Sequence, residues 1–201
     1  MPDRPPTVRA VVLAAGAARR FGSDKLLAGL DGKALLQHVL DALAAAGIDD
    51  PIVVLAPGRD AAAASLEWRA ATRVRNDHPE AGLASSLKVG WAAAIAADPP
   101  PAAVLVVLGD QPRIAPAVVR ALAAAPLDAS RPIVAPRYLA GGGHNPLRIE
   151  ATADALVAGT SGDRGLGPLV AASAALVRWL DVDGSNPDVD EPADLLRLAG
   201  H

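Results

Sequence analysis

Residues 9–25 read RAVVLAAGAARRFGSDK. After Arg9 the run is apolar without alternation as far as Ala15, the pattern of a strand buried on both faces of a parallel sheet. Gly16 ends it. The next ten residues carry Gly16, Gly22, Arg19, Arg20 and Lys25 ahead of a first helix. Glycines let backbone amides come close to an oxyanion, and nested amides attract phosphate. Arg and Lys then neutralise the charge. The spacing is neither the G-x-G-x-x-G of a Rossmann turn nor the G-x-x-x-x-G-K-S/T of a Walker A loop. Only Lys25, Lys33 and Lys88 are lysines among the 19 basic residues, so a lysine in this loop stands out. On spacing alone, a solvated basic loop is the other reading.

Outward from this stretch, strand and helix patterns alternate. Residues 34–46 place Leu35, Leu36, Val39, Leu40 and Leu43 on one helical face, and Gly47 stops them. Strands are expected at 52–55, 72–75, 103–108, 132–135, 145–150 and 175–182. Helices are expected at about 60–69, 85–97, 117–125, 151–158, from about 166, and at 193–198. This alternation implies βαβ units and an α/β fold: a three-layer, Rossmann-like domain with a mostly parallel sheet covered on both faces. Residues 1–7 read as a flexible, proline-rich arm and 8–201 as one domain.

Composition narrows the function. The chain has 201 residues, 51% hydrophobic but only 2% aromatic, so the core is built from Ala, Val and Leu. The formal charge of −3 gives no electrostatic reason to bind nucleic acid or an anionic membrane. With no cysteine, disulfides, thiolate catalysis and Cys-type metal sites are excluded. No signal-peptide pattern and no membrane-length apolar run is found, so a cytoplasmic location is expected.

In an open parallel sheet, ligands bind beyond the carboxyl ends of the strands. Asp110, in LGDQP, stands at such an end. A rigidly held carboxylate there suits a hard divalent cation whose shell is completed by phosphate oxygens and water; a helix N-cap is the structural alternative. Residues 181–194 (DVDGSNPDVDEPAD) are rich in acids. They are no EF-hand: counted from Asp181, glycine is fourth rather than sixth, and Pro192 takes the place of the twelfth-position Glu. In GLASSLKVGW (82–91), Gly82 permits close approach to a ligand, while capping of the following helix is the physical expectation for Ser85 and Ser86.

Leu13-Ala14-Ala15-Gly16, Arg20, Gly22 and Lys25 resemble the L-A-A-G-x-x-x-R-x-G-x-x-K signature of the molybdenum-cofactor-type nucleotidyltransferases. GDQP resembles the metal motif of the cytidylyl-transferring branch. Asp188, Val189, Asp190, Pro192, Asp194 and Leu195 resemble its D-I-D-T-P-E-D-L. GLASSL resembles G-M-S-S-S-L, YLAGGGHNPLRI (138–149) a Y-x-G-x-x-G-H-P-V-L-F stretch, and GDRG (162–165) a G-D-x-G-A loop. The motifs occur in order over residues 9–197.

The resemblance implies transfer of CMP from CTP to the phosphate of molybdopterin cofactor, with Mg²⁺ (or Mn²⁺) and release of pyrophosphate. It implies Arg20, Lys25 and Asp110 as catalytic residues. Leu13, Ala14, Ala15, Gly16, Arg20, Lys25, Gly82, Ser85 and Ser86 would bind the nucleotide. Asp110, with Asp188 or Asp190, would bind metal, and Asp194 would be an N-cap. His144, Asn145, Asp163 and Arg164 would face the acceptor. Asn145 interrupts the family's His-Pro, and Arg148 stands where an apolar residue is usual. A molybdenum hydroxylase is the implied protein partner. Two other readings stand beside this one. One is a relative using GTP or another phosphorylated acceptor, including a sugar phosphate. The other is a non-catalytic nucleotide or cofactor carrier, which would lack the metal carboxylates.

Overall fold

The computed structural model describes residues 6–16, 21, 24–59, 62–163, 167–172 and 174–199. Its strands are β1 (Val8–Ala14), β2 (Gly29–Leu30), β3 (Lys33–Ala34), β4 (Ile52–Leu55), β5 (Thr72–Arg75), β6 (Ala103–Leu108), β7 (Ile133–Tyr138), β8 (Leu147–Glu150) and β9 (Val177–Val182). Its α-helices are α1 (Leu35–Ala45), α2 (Leu83–Ile95), α3 (Pro116–Ala124), α4 (Asp154–Ala158), α5 (Gly167–Ala172) and α6 (Pro192–Ala199).

Seven strands form one sheet in the order β5-β4-β1-β6-β8-β7-β9, and β2 and β3 form a small hairpin. β1 lies between β4 and β6, parallel to both. β8 is antiparallel to both its neighbours, and β7 runs parallel to β9. The mostly parallel α/β sheet read from the sequence is the observed architecture. Residues of β1 alternate between its two faces: Ala10, Val12 and Ala14 meet the leucines of α1 and α3, while Val11 and Leu13, with Ala15 just after the strand, meet α2. Gly90 lets α2 lie directly on the sheet. A Cβ there would stand 2.3 Å from Val11 Cγ1 and 2.8 Å from Val54 Cγ2.

Two local expectations are corrected. Residues 60–69 do not form an α-helix over their described part, which has only the 3₁₀ turn Ala62–Ser65. The Glu67 N–H donates to Gln37 Oε1 (2.8 Å) instead of to a carbonyl one turn back. Helix α2 starts at Leu83, two residues before the expected start, with Gly82 as its N-cap and no side-chain cap. Thr7, read as part of the arm, accepts from the Ala102 N–H (2.8 Å); residues 1–5 lie outside the described residues. Among the described residues no helix is long and apolar enough to cross a membrane.

Candidate active site

The carboxyl ends of β1, β4, β5 and β6 share one edge of the sheet, and the segments leaving β1, β5 and β6 border a cleft of about 590 Å³. Asp24 caps a 3₁₀ turn by accepting from Leu26 N–H, and Leu26 buries itself beneath. That places Lys25 on the cleft wall. Its Nζ donates to Asp110 Oδ2 (2.7 Å) and Asp190 Oδ1 (3.2 Å). Burial by itself would lower the lysine pKa, but the Asp110 and Asp190 carboxylates outweigh it and hold Lys25 above its ordinary value.

Asp110 follows Gly109, whose N–H bonds to Leu13 O, so the carboxylate sits beside the end of β1. Its main-chain oxygen accepts from Val189 N–H (3.0 Å). Val189 is fully buried against Leu30 and Leu35, which anchors the acidic segment with Asp188 and Asp190 on either side. Asp188 Oδ1 accepts from Gln111 Nε2 (2.5 Å). Although Asp188 keeps part of its surface in water, desolvation raises its pKa. The Gln111 hydrogen bond opposes this, and the charges of Asp110 and Asp190 add to the rise. Asp194 is not the N-cap of α6. It lies within the first turn and reaches back, Oδ2 accepting from the N–H groups of Asp190 (2.8 Å) and Glu191 (2.7 Å). These bonds lower its pKa, and they fix the main chain that carries Asp190.

Leu13, Ala14, Gly16, Gly82, Ser86 and Asp163 also border the cleft. Ala15 is buried and does not border it. Arg20 and Arg164 lie outside the described residues. Ser85 and Ser86 cap nothing: the Ser85 hydroxyl donates to Asn76 Oδ1, and Asn76 Nδ2 donates to Ser86 Oγ, each at 3.0 Å. The two serines therefore hold the end of β5 against α2. Gly82 admits protein as well as space for a ligand. Its φ is +91°, and a Cβ would stand 2.5 Å from Gly162 C and 2.6 Å from Asp163 Oδ1. Gly82→Ala should displace the 160–163 segment, break the Ala84 N–H to Gly162 O bond, and cost about 1–3 kcal/mol of stability. Thermal unfolding measures this; an unchanged midpoint would show that the segment yields freely.

His144 and Asn145 do not border the cleft. They sit in the β7–β8 connection, where the His144 ring meets Trp179 edge-on at 4.7 Å. The Asn145 carbonyl accepts from Tyr138 Oη and Asn186 Nδ2, each at 3.1 Å. Burial pushes the Tyr138 phenol up to about 12, so it remains a donor at neutral pH. Arg148, in the segment read as acceptor-facing, is wholly buried. It bonds the Ala125 and Pro126 carbonyls and Glu150, so its role is in the core.

Residues 10–178 match the sequence profile of the MobA-like NTP transferase domain. The chain belongs to the MobA-like NTP transferase family. It is 32% identical over 108 residues to a probable molybdenum cofactor guanylyltransferase of Pyrococcus horikoshii, a match covering 53% of this chain and 50% of that protein. It is 38% identical over 132 residues to the bifunctional protein GlmU of Sinorhizobium medicae, covering 62% of this chain and 26% of GlmU. The chain thus spans half or less of the length of these curated relatives. Among solved structures, Rv0371c of Mycobacterium tuberculosis superposes with a TM-score of 0.82 at 31% identity, covering 98% of this chain and 100% of that one. A second structure of Rv0371c is a complex with manganese.

A divalent cation fits what this MobA-like chain presents. Asp110 Oδ1 is buried without a hydrogen-bond partner, and the charges of Asp110 and Asp190 raise the cost of ionising Asp188, with Lys25 the nearby cation. Among the described residues no three Asp, Glu or His side chains form a ready metal cage, so other oxygens must complete the shell. The sequence reading of this MobA-like site missed Arg59. Its guanidinium donates to the carbonyls of Ala14 and Gly16, both at 2.8 Å, and pairs with Asp24 at 3.4 Å, bracing the first loop from β4. Its place just after a parallel strand and a Pro-Gly turn was the available signal. Asn76, directly after β5, was missed in the same way.

Proposed function

We propose that this protein transfers CMP from CTP to the phosphate of molybdopterin cofactor, releasing pyrophosphate. The observation that carries the reading is the convergence of Lys25, Asp110 and Asp190 on the wall of the cleft that Leu13, Ala14 and Gly16 also border. The loop at 13–16, with Arg20, would cradle the triphosphate, and Ser86 and Gly82 would border the nucleoside. Asp110 and Asp190 would hold Mg²⁺, with Asp188 adding negative charge beside them. The bound cation would neutralise charge on the phosphate oxygens and orient them. The manganese complex of Rv0371c supports this choice of ion class.

In the reaction, an acceptor phosphate oxygen attacks the α-phosphorus in line. The bond to the bridging α–β oxygen breaks, and pyrophosphate leaves with that electron pair. Lys25 places a positive charge beside the phosphoryl oxygens, so positioning and electrostatics supply the acceleration. No general base is required, because a phosphate monoester is already anionic near neutral pH. His144, Asn145, Asp163 and Arg164 would orient the acceptor, and a molybdenum hydroxylase would receive the product.

A second reading has its own support. The guanylyltransferase relative favours GTP as the donor. Competition among equal concentrations of CTP, GTP, ATP and UTP, with Mg²⁺ and molybdopterin cofactor, decides between them. CTP should be consumed first, in step with pyrophosphate. Preferential use of GTP would overturn the cytidylyl reading and leave nucleotidyl transfer standing.

A further inference from the structure

Gln111 and Asn186 are each 1% exposed, two buried amides in a mostly aliphatic interior. Buried amides need partners, and all of their side-chain polar atoms but Asn186 Oδ1 find them in one connected set. Gln111 Nε2 donates to Asp188 Oδ1 (2.5 Å), and its Oε1 accepts from Asn186 Nδ2 (3.0 Å). The same Asn186 Nδ2 donates to the Asn145 carbonyl (3.1 Å). Next along the chain from Gln111, the Asp110 carbonyl takes the Val189 N–H. The Asp110-Gln111 dipeptide therefore grips residues 186, 188 and 189 and sets the register of the acidic segment.

The grip extends to the β7–β8 connection. Leu139 N–H bonds to Val182 O and Ala140 N–H to Gly184 O, so the 139–146 loop lies along the same segment. At its far end, Asn145 is held by Asn186 and Tyr138.

We propose that Gln111 is a positioning residue: it orients Asp188 beside the cation-facing carboxylates Asp110 and Asp190 and, through Asn186, holds the loop bearing His144 and Asn145. The proposal rests on the cleft being a nucleotidyl-transfer site. Without Gln111 the Asp188 carboxylate would rotate freely and the loop would lose its link to the metal side. Groups that orient metal-facing residues commonly alter metal affinity by ten- to a hundredfold, about the effect expected here.

The test uses the full chain with Mn²⁺ alone, without nucleotide or acceptor. Gln111→Met removes both amide bonds at nearly constant volume. Mn²⁺ affinity, read from the electron-spin signal of the free ion, should fall about tenfold. Backbone amides of 139–146 should exchange with deuterium about tenfold faster. Asn186→Ala should speed the same exchange and move Mn²⁺ affinity less. A purely structural role would lower the unfolding temperature and leave Mn²⁺ affinity of the folded protein unchanged. That result in Gln111→Met, or unchanged loop exchange in both variants, overturns the proposal. If Gln111→Met does not fold, loop exchange in Asn186→Ala decides. Absence of Mn²⁺ binding to the wild type would overturn the metal reading and this proposal with it. A failed CTP assay touches neither readout.

Discussion

On the proposed function, Asp110→Ala should lower Mg²⁺-dependent pyrophosphate release by about a thousandfold or more, because it removes a carboxylate proposed to hold the cation. Asp110 Oδ1 has no protein partner to lose, and Oδ2 loses only Lys25, which keeps Asp190. The bond that docks the acidic segment, Val189 N–H to Asp110 O, belongs to the main chain and survives the change. Fold and activity should therefore separate: the unfolding midpoint should move by a few degrees at most while turnover collapses. Raising Mg²⁺ should not restore the rate if the lost carboxylate acts in the transition state. Near-wild-type turnover at saturating Mg²⁺ would remove Asp110 from the mechanism.

Arg148→Ala should act on stability instead, by about 3–5 kcal/mol. Arg148 and Glu150 side chains are 0% and 5% exposed and lie 3.4 Å apart. Arg148 Nη1 donates to Ala125 O (2.7 Å) and Nη2 to Pro126 O (3.3 Å), while Glu150 accepts from Asp128 N–H. The pair thus closes the turn between α3 and β7 from inside the protein. Truncation leaves Glu150 charged, buried and short of a counterion, which is worse than having neither charge. The midpoint should fall by about 10 °C or more. The double variant Arg148→Met with Glu150→Leu should recover much of that loss, because it removes both charges and refills the volume. If the single change costs under about 1 kcal/mol, the pair is not integral to the core.

The departure at Arg148 illustrates what a linear reading misses. In the family pattern an apolar residue stands there, and the sequence alone does not say where the charge goes. Only β8's antiparallel place between β6 and β7 shows that the side chain enters the interior. The serines after Gly82 are similar. Their type and position suit a helix cap, yet the helix begins earlier and their hydroxyls meet Asn76. Both depend on neighbours that no local pattern contains.

By itself, the sequence determined the succession of buried strands and helices, and so the mostly parallel sheet. Strand bounds at 52–55, 72–75 and 103–108 coincide with the structure, because unbroken apolar or β-branched runs and the turn residues beside them act within a few positions. The glycine-rich loop, Lys25 and Asp110 were legible for the same reason: each is marked by its neighbours at a strand end. Tertiary structure alone decided that Lys25 meets Asp110 and Asp190, 85 and 165 residues away. It also decided that Arg59 braces the first loop and that Gln111 joins Asp188 to Asn186. Periodicity and propensity describe which face of an element is buried, but not which distant carboxylate or amide shares that space. That depends on strand order and on the burial of Val189, which draws the acidic segment back across the sheet edge to Asp110.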